Sequence, residues 1–159
     1  MRTPVLISAC LAGLHTRYDG TSRPHPELDF LAKRAILVPV CPELLGGLGI
    51  PRPPCYFSGR DGVGVLAGAA VVVDANGVDR TPAFVSAAEE VARIVKLVQA
   101  ALIVFKEGSP SCGLRRVDID GIKQPGCGVV TAFLRASGIP IISEEDPLPP
   151  VFQRLMRYV

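Results

Sequence analysis

Histidine is scarce in this chain: only His15 and His25 occur in 159 residues, and both fall in stretches that read as loops. That argues against a metal site built on imidazoles. Close Cys-x-x-Cys pairs are absent as well, although there are five cysteines. A structural zinc site normally shows such pairs. Long apolar runs are missing too. The longest, from Val63 to Val73, stops at Asp74, whereas a membrane-spanning helix needs roughly 20 apolar residues. The apolar run within Met1–Ser8 is too short for the centre of a signal peptide. The chain therefore reads as cytoplasmic, without a membrane partner. Excess charge is lacking: 17 Lys and Arg against 15 Asp and Glu leave a net +2. With no basic stripe and no interleaved aromatics, a macromolecular nucleic acid is not an expected partner.

What is present points to a folded protein. Hydrophobic residues make up 48% and charged residues 20%, the balance of a globular chain rather than a disordered one. The length suits a single domain spanning residues 1–159. The mean hydropathy of +0.35 is high, and a buried parallel sheet, apolar on both faces, accounts for it.

Four short apolar segments read as buried strands: Pro4–Ser8, Ile36–Val40, Ala101–Phe105 and Ile139–Ser143. Between them lie helical patterns at Glu27–Arg34, from Thr81 onward, and at Gly128–Ala136, the last stopped by Gly138. A final helix is expected over Leu148–Tyr158. Phe84, Ala88, Val91, Val95 and Val98 recur at steps of three and four, an apolar stripe for one helix face. Thr81 is placed to cap that helix, with Pro82 at its first turn. Val63–Val73 followed by Asp74-Ala75-Asn76-Gly77 reads as strands and a β-hairpin near residues 63–80. The segment from Gly46 to Pro54, rich in Gly and Pro, has no regular pattern. Alternating strands and helices predict an α/β fold of three layers, Rossmann-like, with a mostly parallel sheet.

In such sheets, ligands bind beyond the carboxyl ends of the strands. Cys10 follows the first strand, Cys41 and Glu43 the second, Ser109 and Cys112 the third, and Glu144 the fourth. All fall on one predicted edge. Three thiols meeting there suit zinc, Cu(I) or an iron–sulfur cluster. The other reading is that they are buried apolar filler, the usual state of free cysteine. Disulfides are not expected in a cytosolic chain.

The motifs Ser8-Ala9-Cys10-Leu11-Ala12-Gly13, Arg17-Tyr18-Asp19-Gly20, Cys41-Pro42-Glu43, Gly46-Gly47-Leu48 with Pro51-Arg52-Pro53-Pro54, and Ser109-Pro110-Ser111-Cys112-Gly113 together resemble the DUF523 family, whose characterised members are thiouracil desulfidases. The resemblance runs in order along nearly the whole chain. It implies a [4Fe-4S] cluster held by Cys10, Cys41 and Cys112, with the fourth iron open to the sulfur of a thiocarbonyl. It also implies Glu43 as acid/base and Ser109 as its assistant. Arg52, Lys106 and Glu144 are candidate substrate contacts. The substrate would be a small thiolated base or thioamide, converted from C=S to C=O with release of sulfide. Two features depart from the family pattern: Cys55-Tyr56 where a carboxylate is common, and an extra Cys127. A non-catalytic metal- or cluster-binding protein or sulfur carrier is the alternative function, and either a monomer or a homodimer fits the sequence.

Overall fold

The computed structural model describes residues 2–154. Its first sheet is parallel, with strands β1 (Thr3–Ser8), β2 (Ala35–Val40), β5 (Leu102–Phe105) and β8 (Ile141–Ser143) in the order β2-β1-β5-β8. The four strands are those expected from the apolar segments. Alternation along them divides the core. Leu6, Ile103 and Phe105 pack with helices α4 (Thr81–Val98) and α5 (Val129–Leu134). Val5, Ile7, Leu102 and Val104 face the other way, onto Leu31 of α1 (Leu28–Arg34) and Phe152 of α6 (Pro150–Arg154). The sheet is thus covered on both faces, as its apolar strands require. From β1 the chain moves to β2 on one side and later to β5 on the other. The strand order therefore reverses between β1 and β5, and a crevice opens at their carboxyl ends.

A second sheet was not anticipated. It contains β3 (Cys55–Ser58), β4 (Val71–Asp74), β6 (Arg116–Ile119) and β7 (Ile122–Pro125), in the order β4-β3-β6-β7. Phe57, Val72, Val117 and Ile119 carry it into the same core as α4 and α5. Within Val63–Val73, the first part is helix rather than strand: α3 spans Gly62–Leu66. The Asp61 carboxylate accepts the Val63 and Gly64 N–H groups and so starts the helix, a local cap that outweighs the strand preference of valine. The hairpin in this region is narrower than expected. The turn at Asp74–Gly77 closes on a single antiparallel bridge between Val73 and Asp79.

Helix α4 shows the expected stripe, with Phe84, Ala88, Val91 and Val95 buried. Thr81 does not cap it. Arg80 stands at the N-cap, and Asp79 accepts the Thr81 N–H at 2.8 Å. The Thr81 hydroxyl instead accepts the Val72 N–H of β4 at 2.9 Å, tying helix to sheet. The last expected helix is present as Pro150–Arg154, and its remainder, 155–158, lies outside the described residues.

Close backbone approaches fix the loops around the crevice. A Cβ on Gly128 would stand 2.3 Å from the Ser111 carbonyl oxygen, and one on Gly46 would stand 2.4 Å from that of Ala83. These contacts lock α5 against the 106–115 loop and α2 (Pro42–Leu45) against α4. Gly128→Ala should lower stability by about 1–3 kcal/mol through overpacking, seen as a Tm several degrees lower. Gly49→Ala, with nothing within 4 Å of its Cβ, should melt with wild type, and equal Tm values for the two variants would refute this account of the packing.

Candidate active site

A cleft of about 470 Å³ opens where the strand order reverses, and it is lined by Cys10, Cys41 and Cys112 together. Each thiol arrives from a different strand end. Cys10 sits in the tight turn after β1, where the Leu11 and Ala12 N–H groups donate to the Ser8 carbonyl. Cys41 is the N-cap of α2, and its own carbonyl accepts from Leu45. Cys112 lies in the loop after β5. Glu43, Ser109, Arg52 and Lys106 line the same cleft. Glu144 is not among the lining residues. Its carboxylate instead accepts from Lys106 Nζ at 2.6 Å and from the Glu107 N–H at 2.8 Å, so it stands behind Lys106.

The loop carrying Cys112 is shaped by Glu107, a residue the sequence reading passed over. Its side chain is fully buried. One carboxylate oxygen accepts the backbone N–H groups of Gly108, Leu114, Arg115 and Arg116 at 2.9–3.2 Å. The other faces the Arg115 guanidinium at 3.8 Å. Four donors on one oxygen close the loop into a ring and satisfy backbone that would otherwise be orphaned.

Within that loop the hydroxyls form a directed chain. Ser109 Oγ accepts the N–H groups of Ser111 and Cys112, both at 3.2 Å. Its lone pairs are then taken, so its hydrogen goes to Ser111 Oγ, 2.9 Å away. Ser111 in turn donates to Glu43 Oε2 at 3.3 Å. The result is a line from Ser109 through Ser111 to Glu43. Ser111 is 1% exposed and was not anticipated as a site residue, although it sits inside the Ser-Pro-Ser-Cys motif.

Arg52 holds the opposite side of Glu43. Its Nε lies 3.5 Å from Glu43 Oε1, while Nη1 donates to the Gly49 carbonyl and Nη2 to that of Thr16. Nη2 also stands 4.0 Å from Cys41 Sγ. The guanidinium is thus occupied in fixing Glu43 and facing a thiol.

All three thiols are shifted upward, and in each case burial is the first cause. For Cys10 the next cause is the Cys41 charge, opposed by Lys106 and Arg17. For Cys41, Arg52 works against the shift and Glu43 adds to it. For Cys112, the Ser111 and Ser8 hydroxyls oppose it, while Cys10 and Glu43 add to it. The thiols therefore sense one another, and nearby cations and hydroxyl donors only partly oppose the burial that raises them. Among the described residues, no three His, Cys, Asp or Glu side chains are grouped to hold one metal ion. Three thiolates on a single zinc lie within roughly 4 Å of one another.

Cys55 also lines the cleft. Burial first, then the Glu43 and Asp74 charges, push its thiol up to about 11. Cys127 is buried outside it, with its N–H on Asp61. The remaining wall comes from Arg116, Asp118 and Lys123 of the β6–β7 hairpin. This hairpin was missed, although Asp120-Gly121 between Ile119 and Ile122 signals one. Both turn residues have positive φ, 53° and 81°, as a type I′ turn needs.

The family model described as 2-thiouracil desulfurase matches residues 5–146. The uncharacterised protein YbbK of Bacillus subtilis (strain 168) is 36% identical over 145 residues, covering 89% of this chain and 96% of that protein. Among solved structures, the [4Fe-4S]-dependent thiouracil desulfidase TudS is similar with a TM-score of 0.78 and 34% identity, over 99% of this chain and 100% of that one. With Cys10, Cys41, Glu43, Arg52, Ser109 and Cys112 of its motifs lining one cleft, the chain belongs to the 2-thiouracil desulfurase family, DUF523.

Proposed function

We propose that the protein is a [4Fe-4S]-dependent desulfidase that hydrolyses the thiocarbonyl of a small thiolated base. The observation that carries this is the convergence of Cys10, Cys41 and Cys112 on one cleft that also holds Glu43. Three cysteines fit a cubane with one iron left uncapped, since full ligation takes four. When bound, the cluster supplies a Lewis-acidic iron that polarises C=S as metals polarise C=O.

The chain's own residues supply the rest. Lys106, Arg17 and Arg52 offset the negative charge gathered by the thiolates. Glu43, held by Arg52 and Ser111, is placed to take a proton from water and to give one to the leaving sulfur. Ser109, its hydrogen directed toward Ser111 and Glu43, carries a proton along that line. Glu144 keeps Lys106 Nζ in place. The reaction consumes one water, forms C=O and releases hydrogen sulfide with no net redox change. The site faces a small molecule and is located in the cytoplasm under this reading.

Anaerobic reconstitution should load about four iron and four sulfide per chain, with a broad cluster absorbance. Cys112→Ser should lose most of that iron, and a variant that retains it like wild type would remove Cys112 from the ligand set. Glu43→Gln should keep the cluster yet slow sulfide release from 2-thiouracil by roughly 10²–10⁴-fold, the range for a lost general acid/base. Unchanged turnover in that variant would contradict the role given to Glu43.

A further inference from the structure

Strand alternation puts Arg116, Asp118 and Lys123 on one face of the β6–β7 hairpin, with Asp118 directly opposite Lys123 in the register. Val117 and Ile119 take the other face and join the core. The polar face closes the cleft that holds the three thiols. The thiols come from the ends of the first sheet, and this wall comes from the second.

The charges on the wall are unequally satisfied. Arg116 is engaged by Glu145 at 2.7 Å. Asp118 and Lys123 face each other, yet among the described residues neither forms an ion pair. Asp118 Oδ1 is also buried without a hydrogen-bond partner. A buried acceptor left unpaired is destabilising, and each such group calls for a partner. The other orphaned atoms of the cleft each have one at longer range: Glu43 beside Arg52 Nε, and Arg115 beside Glu107 Oε2. Asp118 has none. Rotation about its broad χ2 presents either oxygen to the cleft.

We propose that this hairpin face reads the substrate: the Asp118 carboxylate accepts the N–H beside the thiocarbonyl, and Lys123 donates to a carbonyl oxygen next to it. Acceptor and donor side by side match the N–H and C=O edge of a cyclic thioamide such as a thio-oxopyrimidine. The inference rests on the desulfidase reading and narrows it to bases in which the nitrogen between the thiocarbonyl and that carbonyl carries a hydrogen. Alkylation of that nitrogen removes the donor and leaves the carboxylate unpaired, a mismatch that polar sites reject strongly.

The test is calorimetric titration of the reconstituted protein with uracil and with 3-methyluracil, which do not depend on turnover. Wild type should bind uracil at least about tenfold more tightly than the methylated base. Asp118→Ala should lose that discrimination, and Asp118→Asn, keeping one acceptor oxygen, should retain part of it. Iron content should match wild type in both variants, and Tm should be no lower than that of wild type. Wild-type affinity and discrimination in Asp118→Ala, or in Asp118→Asn if the alanine variant does not fold, would overturn the assignment. Sulfide release from 2-thiouracil is measured in parallel. Its absence from wild type with discrimination intact would refute the desulfidase chemistry and uphold the recognition wall.

Discussion

Glu107 Oε1 accepts four backbone N–H groups from the loop that follows β5, and the site's geometry follows from that arrangement. A loop of Gly, Ser and Pro has no ladder to hold it, so its backbone donors need another acceptor. The buried carboxylate provides one and closes the loop around Ser109, Ser111 and Cys112. Gly128 then packs against the Ser111 carbonyl with no room for a Cβ. The Ser111 hydroxyl reaches across to Glu43 at the start of α2. Residues 68 positions apart in the sequence are thereby joined by one hydrogen bond.

The electrostatics are organised around the thiols. Burial opposes the thiolate at each cysteine, a penalty that a bound soft metal centre would offset. Lys106, Arg17 and Arg52 contribute in the same direction. Of these, Lys106 and Arg52 are immobilised by carboxylates, Glu144 and Glu43. Positive charge is therefore fixed near the sulfurs.

Much of this was legible in the sequence where local pattern and burial agree. The four parallel strands are short apolar runs, and α4 carries a clear stripe. The rule that ligands gather at strand carboxyl ends pointed to the cleft, because Cys10, Cys41 and Cys112 each lie in the segment that follows a strand. Legibility failed where small residues decide. Val63–Leu66 is apolar and β-branched in part, yet Asp61 caps it as helix, and Gly62 packs on Gly128 with no space for a side chain. The second sheet escaped because its strands are four residues long and mix polar with apolar positions. Glu107 was hidden for a different reason. Its role depends on N–H groups brought near by the fold, and no spacing along the chain encodes it.

The central claim is that three cysteines hold a cluster and leave one iron open to substrate. Mössbauer spectroscopy of the reconstituted protein, with and without 2-thiouracil, tests it most directly. The account predicts one iron distinct from the other three, and that site alone shifting when 2-thiouracil is added. Four irons that stay equivalent and unresponsive, as in a fully cysteine-ligated cluster, would contradict it.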